Sequence, residues 1–391
     1  MAGGRCSGPG GVGRVVVGLV VASGALLNEA ARAVEPPGNP QHVVVYREPG
    51  RFAGWPANHG IWIWGDEILV GFSRGYYKDR GQFHHIDKEK PEEFLLARST
   101  DGGATWKVEE PQPPGALAGT RGMRHGLLPP GMPDEHPTKL ETPMDFSAPG
   151  FALTIRMENK DSGVSRFSYS TDRGHSWRGP YQFPLLGQKG VMARTDYLAS
   201  GSRECLAFLT ASKPDEKEGR PFCARTTDGG LSWTFLSYIG PEPGGYAIMP
   251  SSLRLSPTDL ITTIRVLDPP RSAIDAYAST DDGRSWSLIS TPEPDAGEGN
   301  PPSLTRLHDG RLCLIHGERK PPFSILARLS SDRGRTWTAP IVLRGAGGRD
   351  IGYARSVVRP DGKVVAVYYF HDRTDGPTRY LAATIWSPQK P

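Results

Sequence analysis

The sequence predicts an all-β fold, a six-bladed β-propeller of four-stranded antiparallel blades carrying five short hairpin motifs. Three observations carry that prediction. First, an eight-residue pattern, Ser/Thr-x-Asp-x-Gly-x-Ser/Thr-Trp, occurs five times, at Ser99–Trp106, Ser170–Trp177, Thr226–Trp233, Ser279–Trp286 and Ser330–Trp337. Second, the copies start 71, 56, 53 and 51 residues apart, a period that fits four short strands with their turns. Third, 48 glycines and 37 prolines against a hydrophobic share of 37% argue for strands and turns rather than a helical bundle. Nine tryptophans, 13 tyrosines and 13 phenylalanines provide the apolar area for a sizeable core, which excludes a disordered chain.

Taken in order, residues 1–33 read as a signal peptide. Arg5 and Arg14 precede the apolar run Val15–Leu27, and Ala31-Arg32-Ala33 offers a cleavage site before Val34. The run is shorter than the ~20 residues that span a bilayer as a helix. Residues 34–391 then form one propeller domain, expected to be secreted or periplasmic. His42–Arg47 is a strand without a local partner. Each repeat places its Asp where the carboxylate can accept backbone N–H groups about two residues on, its Gly where the turn needs a positive φ, and its Trp as an apolar cover. Strand-like segments such as Phe94–Arg98, Phe222–Arg225 and Ile325–Leu329 lead into the boxes. A second hairpin lies upstream, for example Leu304–Leu307 and Arg311–Ile315 around His308-Asp309-Gly310. After the fifth box come three strands without a box, Tyr353–Val358, Val364–Phe370 and Tyr380–Trp386, and the His42–Arg47 strand completes that last blade and closes the ring at six. Glu109–Thr142, proline-rich and aperiodic, reads as a surface loop over one face.

The formal charge of +4, from 46 basic and 42 acidic residues, gives no case for nucleic acid or a membrane surface as partner. Beyond the leader only Cys205, Cys223 and Cys313 remain, expected to be small buried thiols. His84, His85 and His125 lack metal-ligand spacing, so neither a metal nor another cofactor is expected.

The five boxes resemble the Asp-box, or BNR, repeats of the sialidase superfamily, and the similarity runs from about residue 42 to residue 386. The boxes themselves sit on outer hairpins, so they speak to fold rather than chemistry. Function belongs to the inner strand starts and the loops around the axis. Family sialidases hold the substrate carboxylate with three arginines and use an Asp acid/base and a Tyr nucleophile activated by a Glu. A neutral phenol avoids the repulsion that a carboxylate nucleophile would meet beside the substrate's own carboxylate.

Carried over residue by residue, the resemblance implies Tyr353 as nucleophile, in Gly352-Tyr353-Ala354-Arg355-Ser356, with Arg355 two positions along on the same strand face. Arg319 and Arg265 are similar to the later carboxylate-binding arginines. Arg74 is similar to the arginine preceding the acid loop, and Asp79, ahead of Asp87 in the loop Tyr76–Pro91, is the general acid. Two family residues are missing. Trp55, in Gly54-Trp55-Pro56-Ala57-Asn58-His59-Gly60, stands where the first arginine is expected, and Met249 or Pro301 stands where the glutamate is. Glu242, Glu298 or Glu318 could replace it only through different geometry. His59, Asp145, Arg194 and Asp196 are further axial candidates, each expected to begin an inner strand. Together these imply a sialidase-like exo-glycoside hydrolase acting on an anionic sugar other than a simple sialoside. Two alternatives stay open: a non-catalytic carbohydrate-binding propeller, and a lyase using Tyr353 and His59 on a uronic acid.

Overall fold

The computed structural model describes residues 1, 3–5, 39–118, 124–133, 136–161, 163–372 and 378–389. The leader and its cleavage site fall outside the described residues. Among the described residues no helix is long and apolar enough to cross a membrane.

Strand β1 (Gln41–Tyr46) is the first strand. The first blade contains β2 (Arg51–Gly54), helix α1 (Pro56–His59), β3 (Ile61–Trp64), β4 (Glu67–Tyr76), β5 (Glu93–Ser99) and β6 (Lys107–Glu109). Here β2 and β3 both pair with β4, and α1 interrupts the innermost strand between them. The second blade is β7 (Ala152–Met157), β8 (Ser165–Ser170) and β9 (Arg178–Phe183). The third is β10 (Val191–Met192), β11 (Tyr197–Ala199), β12 (Cys205–Ser212), β13 (Glu218–Thr226) and β14 (Thr234–Tyr238). The fourth is β15 (Tyr246–Arg254), β16 (Leu260–Asp268), β17 (Arg271–Ser279) and β18 (Ser287–Glu293). The fifth is β19 (Ser303–Arg306), β20 (Leu312–Gly317), β21 (Ile325–Ser330) and β22 (Ile341–Arg344). The sixth is β23 (Gly352–Val358), β24 (Val364–Phe370) and β25 (Tyr380–Trp386), and β1 joins it as the outermost strand, with Gln41 opposite Ile385. The terminal strands thus close the ring as the unpaired N-terminal strand requires.

All strand pairs are antiparallel, and the sheets follow the four-strand blade plan except the second, where three strands are described. There β7 itself reaches the interior: its Thr154 hydroxyl donates to the His59 carbonyl at 3.1 Å, and Met157 N–H donates to the Ala193 carbonyl at 3.0 Å. Apolar side chains alternate into the gaps between sheets, so successive clusters join neighbouring blades. One unites Val70, Phe72 and Ala97 of the first blade with Val365, Val367 and Ile385 of the sixth. Cys205, Cys223 and Cys313 are buried free thiols, and Cys223 stands opposite Phe208 rather than Cys205.

The five boxes share one hydrogen-bond scheme. In the second, Asp172 Oδ1 accepts the Ser176 N–H at 2.9 Å and the Ser170 hydroxyl at 2.7 Å, while Ser170 Oγ accepts the Gly174 N–H at 2.8 Å. The N–H that the carboxylate captures therefore lies four residues on, further than the sequence suggested. Gly174 has φ 79°, and a Cβ there would lie 2.3 Å from Leu69 of the first blade. Glycine is thus needed both for the turn and for packing the hairpin on the preceding blade. Glu109 ends β6 of the first blade, and from there to Thr142 no named strand occurs among the described residues as the segment passes along the second blade to the axial face. There Gln112 accepts the Trp177 N–H, and Leu127 accepts the Glu92 N–H at 2.9 Å.

Candidate functional site

The boxes lie at the end of each blade where the innermost strand finishes: in the fourth blade Arg254, Leu260 and Ser279 are in register beside the box. The opposite end, where innermost strands begin, is where residues of several blades converge. Three non-glycine residues there have left-handed backbones: Trp55 (φ 60°), Met249 (φ 58°) and Tyr353 (φ 50°). Pairing of β15 and β23 slips at the last two, between Ile248 and Ser251 and between Gly352 and Arg355. Such conformations cost of order 1–3 kcal/mol each and persist where surroundings enforce them. Asn300, fully buried, is one enforcer: its Oδ1 accepts the Tyr353 N–H at 2.8 Å and its Nδ2 donates to the Ile351 carbonyl at 2.9 Å. A Cβ on Gly352 would lie 2.4 Å from this amide, so the residue before Tyr353 must be glycine.

Tyr353 packs with Tyr246 against Ala57, Ile248 and Met249, which brings the first, fourth and sixth blades together. Arg319 lies over the Tyr353 ring at 5.3 Å and donates to the Tyr369 hydroxyl at 2.7 Å. Tyr369 donates in turn to Asp350 at 2.6 Å. Asp350, 3% exposed, also accepts His84 Nδ1–H at 2.8 Å and the His85 N–H at 3.0 Å. Burial alone would raise its carboxyl, but His84, Arg319 and the Tyr369 hydroxyl outweigh that and hold it well below the usual carboxylate range. Burial lowers His84, and Asp350 opposes that shift. The result is an aspartate-oriented imidazole whose ring meets Tyr353 edge-on at 5.7 Å between centroids. Trp55 stacks on His125 at 4.4 Å and meets His84 edge-on at 5.2 Å, and its buried indole N–H has no hydrogen-bond partner.

Arg265 completes the group. Its Nη2 donates to the Tyr246 hydroxyl at 2.8 Å and to the Glu298 carbonyl at 3.0 Å, its buried Nε has no partner, and no carboxylate pairs with it among the described residues. A guanidinium left without a counter-charge at 7% exposure is suited to an anion.

Other residues singled out in the sequence go elsewhere. Arg74 makes a bidentate pair with Glu93, both bonds 2.8 Å, and faces Tyr46, because alternation along β4 turns Ser73 rather than Arg74 toward the interior. Asp79 is on the rim with its side chain 76% exposed, 3.3 Å from His85. It caps the Gly81 N–H, which lowers its carboxyl, the opposite of what a general acid needs. Asp145 is exposed and accepts the Ser147 N–H and hydroxyl. Its neighbours Met144 and Phe146 are hydrogen-bonded to Gly229 and Ser202, at the box end of the third blade, so it begins no inner strand.

His59 is buried in a network of its own: Arg156 donates to Nδ1 at 3.0 Å, and Nε2 is 3.1 Å from Ser73 Oγ. Burial and then Arg156 lower it well below the ordinary histidine value, and with 3% exposure and both ring nitrogens engaged it is held inside the interior network rather than at the axial opening. Arg355 donates to the Ala57 and Thr195 carbonyls at 2.9 and 2.6 Å and so ties the sixth blade to the first and third. Asp196 accepts the Ser252 hydroxyl at 2.7 Å; burial raises it to about 6 against the opposing influence of Arg355. These two brace the interior. Arg194 pairs with Glu218. Glu242 pairs with Arg220 and Glu298 with Arg349, and no carboxylate bonds the Tyr353 hydroxyl among the described residues. No cluster of three or more metal-ligating side chains occurs among the described residues.

Asp350 and Tyr369 were not foreseen in the sequence. Asp350 precedes Tyr353 by three residues, and Tyr369 stands opposite Gly352 in the sheet, a register from which it could have been found.

Comparison with known proteins places this geometry. A family model described as a BNR repeat-like domain matches residues 131–366, more than half of the chain. No curated protein sequence matches the chain. Among solved structures, a protein of unknown function from Dyadobacter fermentans superposes with a TM-score of 0.67 at 20% identity, covering 92% of this chain and 100% of that one. The NanB sialidase of Streptococcus pneumoniae gives 0.56 at 12% identity, over 90% of this chain and 71% of its own. An α-L-arabinofuranosidase of Fusarium graminearum gives 0.54 at 13% identity, over 91% and 97%. At these identities the likeness is one of fold, a propeller shared with glycoside hydrolases. The repeats, the ring of six blades and the family match agree: the chain belongs to the BNR repeat-like domain family.

Proposed function

We propose that the protein is a secreted glycoside hydrolase that cleaves a terminal acidic sugar, with Arg265 and Arg319 receiving its carboxylate and Tyr353 as nucleophile. The observation that carries this reading is the convergence of Tyr353, Arg319, Arg265, Tyr246 and His84 at one axial site, with Arg265 lacking a counter-charge. The proton-transfer role passes from Asp79 to His84. With Nδ1–H held by Asp350, the other ring nitrogen can take the phenol proton as the Tyr353 oxygen bonds to the anomeric carbon. It then delivers that proton to the departing glycosidic oxygen, and water afterwards cleaves the glycosyl–tyrosine bond. Arginine forks that neutralise the substrate carboxylate lower the barrier for a neutral phenol.

The missing carboxylate beside the Tyr353 hydroxyl favours a second reading, β-elimination from a uronic acid. There the Tyr353–His84 pair removes the proton next to the carboxylate, the carbon–oxygen bond on the adjacent carbon breaks as the double bond forms, and the departing oxygen takes a proton back from the pair. His59, buried with Arg156, takes no part in it.

Incubation of purified protein with a panel of acidic oligosaccharides separates the cases. New reducing ends without unsaturation mean hydrolysis, ultraviolet absorbance of an unsaturated uronate means elimination, and binding without product means a lectin. Tyr353→Phe is expected to lower turnover by at least ~10². Full activity in that variant refutes the assignment of Tyr353.

A further inference from the structure

An open cavity of about 430 Å³ lies where the second, third and fourth blades meet, lined by Lys160, Arg194, Lys213, Lys217, Glu218 and Tyr246 among others. Its size is that of a small-molecule site. Two walls are turns: residues 213–217 join β12 to β13, and Lys160 lies between β7 and β8. Tyr246 belongs to both places, since its hydroxyl receives Arg265 and its ring packs with Tyr353 on the same apolar cluster. The cavity therefore adjoins the axial site instead of standing apart from it.

Its electrostatics differ from those around Arg265. Lys160 lies 3.6 Å from Asp161, Lys213 lies 3.1 Å from Asp215, and Arg194 holds Glu218 at 3.0 Å. Lys213, 6% exposed, also donates to the Gly244 carbonyl at 3.3 Å. A surface on which ammonium or guanidinium donors alternate with carboxylate acceptors repels neither sign outright and offers both halves of a hydrogen bond. A sugar ring with free hydroxyls, each a donor and an acceptor, fits a lining of four cationic and three carboxylate side chains, whose charges are largely paired with one another and leave little net attraction for a second anion.

We infer that this cavity is a subsite for a second, neutral sugar ring, so that the substrate is an acidic sugar linked to at least one further residue. The inference rests on the anionic-sugar reading of the axial site. It is tested by titration calorimetry in a Tyr353→Phe background, so that ligands survive. The ligands are N-acetylneuraminic, D-glucuronic and D-galacturonic acid, each as the free monosaccharide and as the terminal residue of a disaccharide with galactose. One acid is expected to bind about tenfold or more tighter as the disaccharide, as hydrogen bonds to charged groups provide. Lys217→Ala and Lys160→Ala, on two different turns of the lining, are expected to erase that gain and to leave monosaccharide affinity unchanged. Equal affinity for a bound monosaccharide and its disaccharide overturns the subsite while the axial reading stands. A gain that survives both variants overturns its location. Failure of every acid to bind, alone or linked, overturns the axial reading and the subsite with it.

Discussion

Arg265→Met tests whether the axial arginine serves a ligand or the fold, because the two roles move stability and affinity in different directions. In the free protein the guanidinium has two acceptors, Tyr246 at 2.8 Å and Glu298 at 3.0 Å, and no carboxylate. Removing it forfeits two bonds from a charged donor, about 1.5–3 kcal/mol each. It also removes a buried cation whose desolvation costs several kcal/mol. The two nearly cancel, so folding stability is expected to change by no more than about 2 kcal/mol, a few degrees in Tm for a chain of this size. With an acidic sugar bound, the same side chain faces a carboxylate, and truncating one partner of such a desolvated pair costs about 2–5 kcal/mol. The dissociation constant should then rise between roughly 30-fold and a few thousandfold. Arg265→Lys, which keeps the charge but not the planar fork, should fall in between. Calorimetric titration with the acidic sugar and thermal unfolding of the free protein measure both quantities. A large loss of Tm with affinity retained would show that Arg265 is a structural brace, and the anionic reading would lose its main support.

Two further outcomes concern stability. Trp177, 3% exposed and packed against Trp62 at 5.6 Å between ring centroids, should cost about 3–5 kcal/mol when replaced by Ala. Trp286, only partly buried, should cost clearly less, and activity per folded molecule should survive in both; chemical denaturation with matched assays checks this, and lost turnover at normal stability would contradict it. Asp196 sets a pH dependence: its carboxyl, 3.8 when free and about 6 in the fold, binds its proton more tightly in the native state, so stability falls as pH climbs from about 4 to about 6, by about 3 kcal/mol. Asp196→Asn should flatten that part of the stability profile, measured as a difference from wild type. His125, pushed down to about 3 by burial, works the other way and loses its contribution as pH falls below the ordinary histidine range, in both proteins alike.

Much of the fold was legible because its determinants are local and repeated. Each box carries its own turn chemistry, so five copies located five hairpins. The unpaired strand near residue 42 then found its place beside β25, since a ring leaves no other edge to pair. The site was less legible, because its membership depends on side-chain direction in three dimensions. Arg74 and Ser73 are adjacent in sequence, yet the pleat sends one to Glu93 at the blade edge and the other to His59. Asp350 and His84 are 266 residues apart, and nothing local in either segment announces the 2.8 Å bond between them.

The three left-handed residues join these two levels. Trp55, Met249 and Tyr353 occupy the positions where the resemblance to sialidases expected an arginine, a glutamate and the nucleophile, and each has the unusual backbone that turns a strand start toward the axis. Positive φ at a non-glycine residue carries a cost that the surroundings must cover, and at these three it coincides with side chains that converge at the axial site from three blades. At these positions two of the three side chains differ from those the resemblance to sialidases expected. An apolar Trp55 with an unpartnered N–H stands in one place and Met249 in another, while His84 and Asp350 approach Tyr353 from a loop of the first blade and the sixth-blade strand start. A left-handed backbone holds the Tyr353 phenol at the axial site, and in the proposed mechanism the group that moves its proton is an imidazole rather than a glutamate. Under the proposed reading, function on this propeller is set by which side chains occupy those axial positions and not by the boxes that make the fold recognisable.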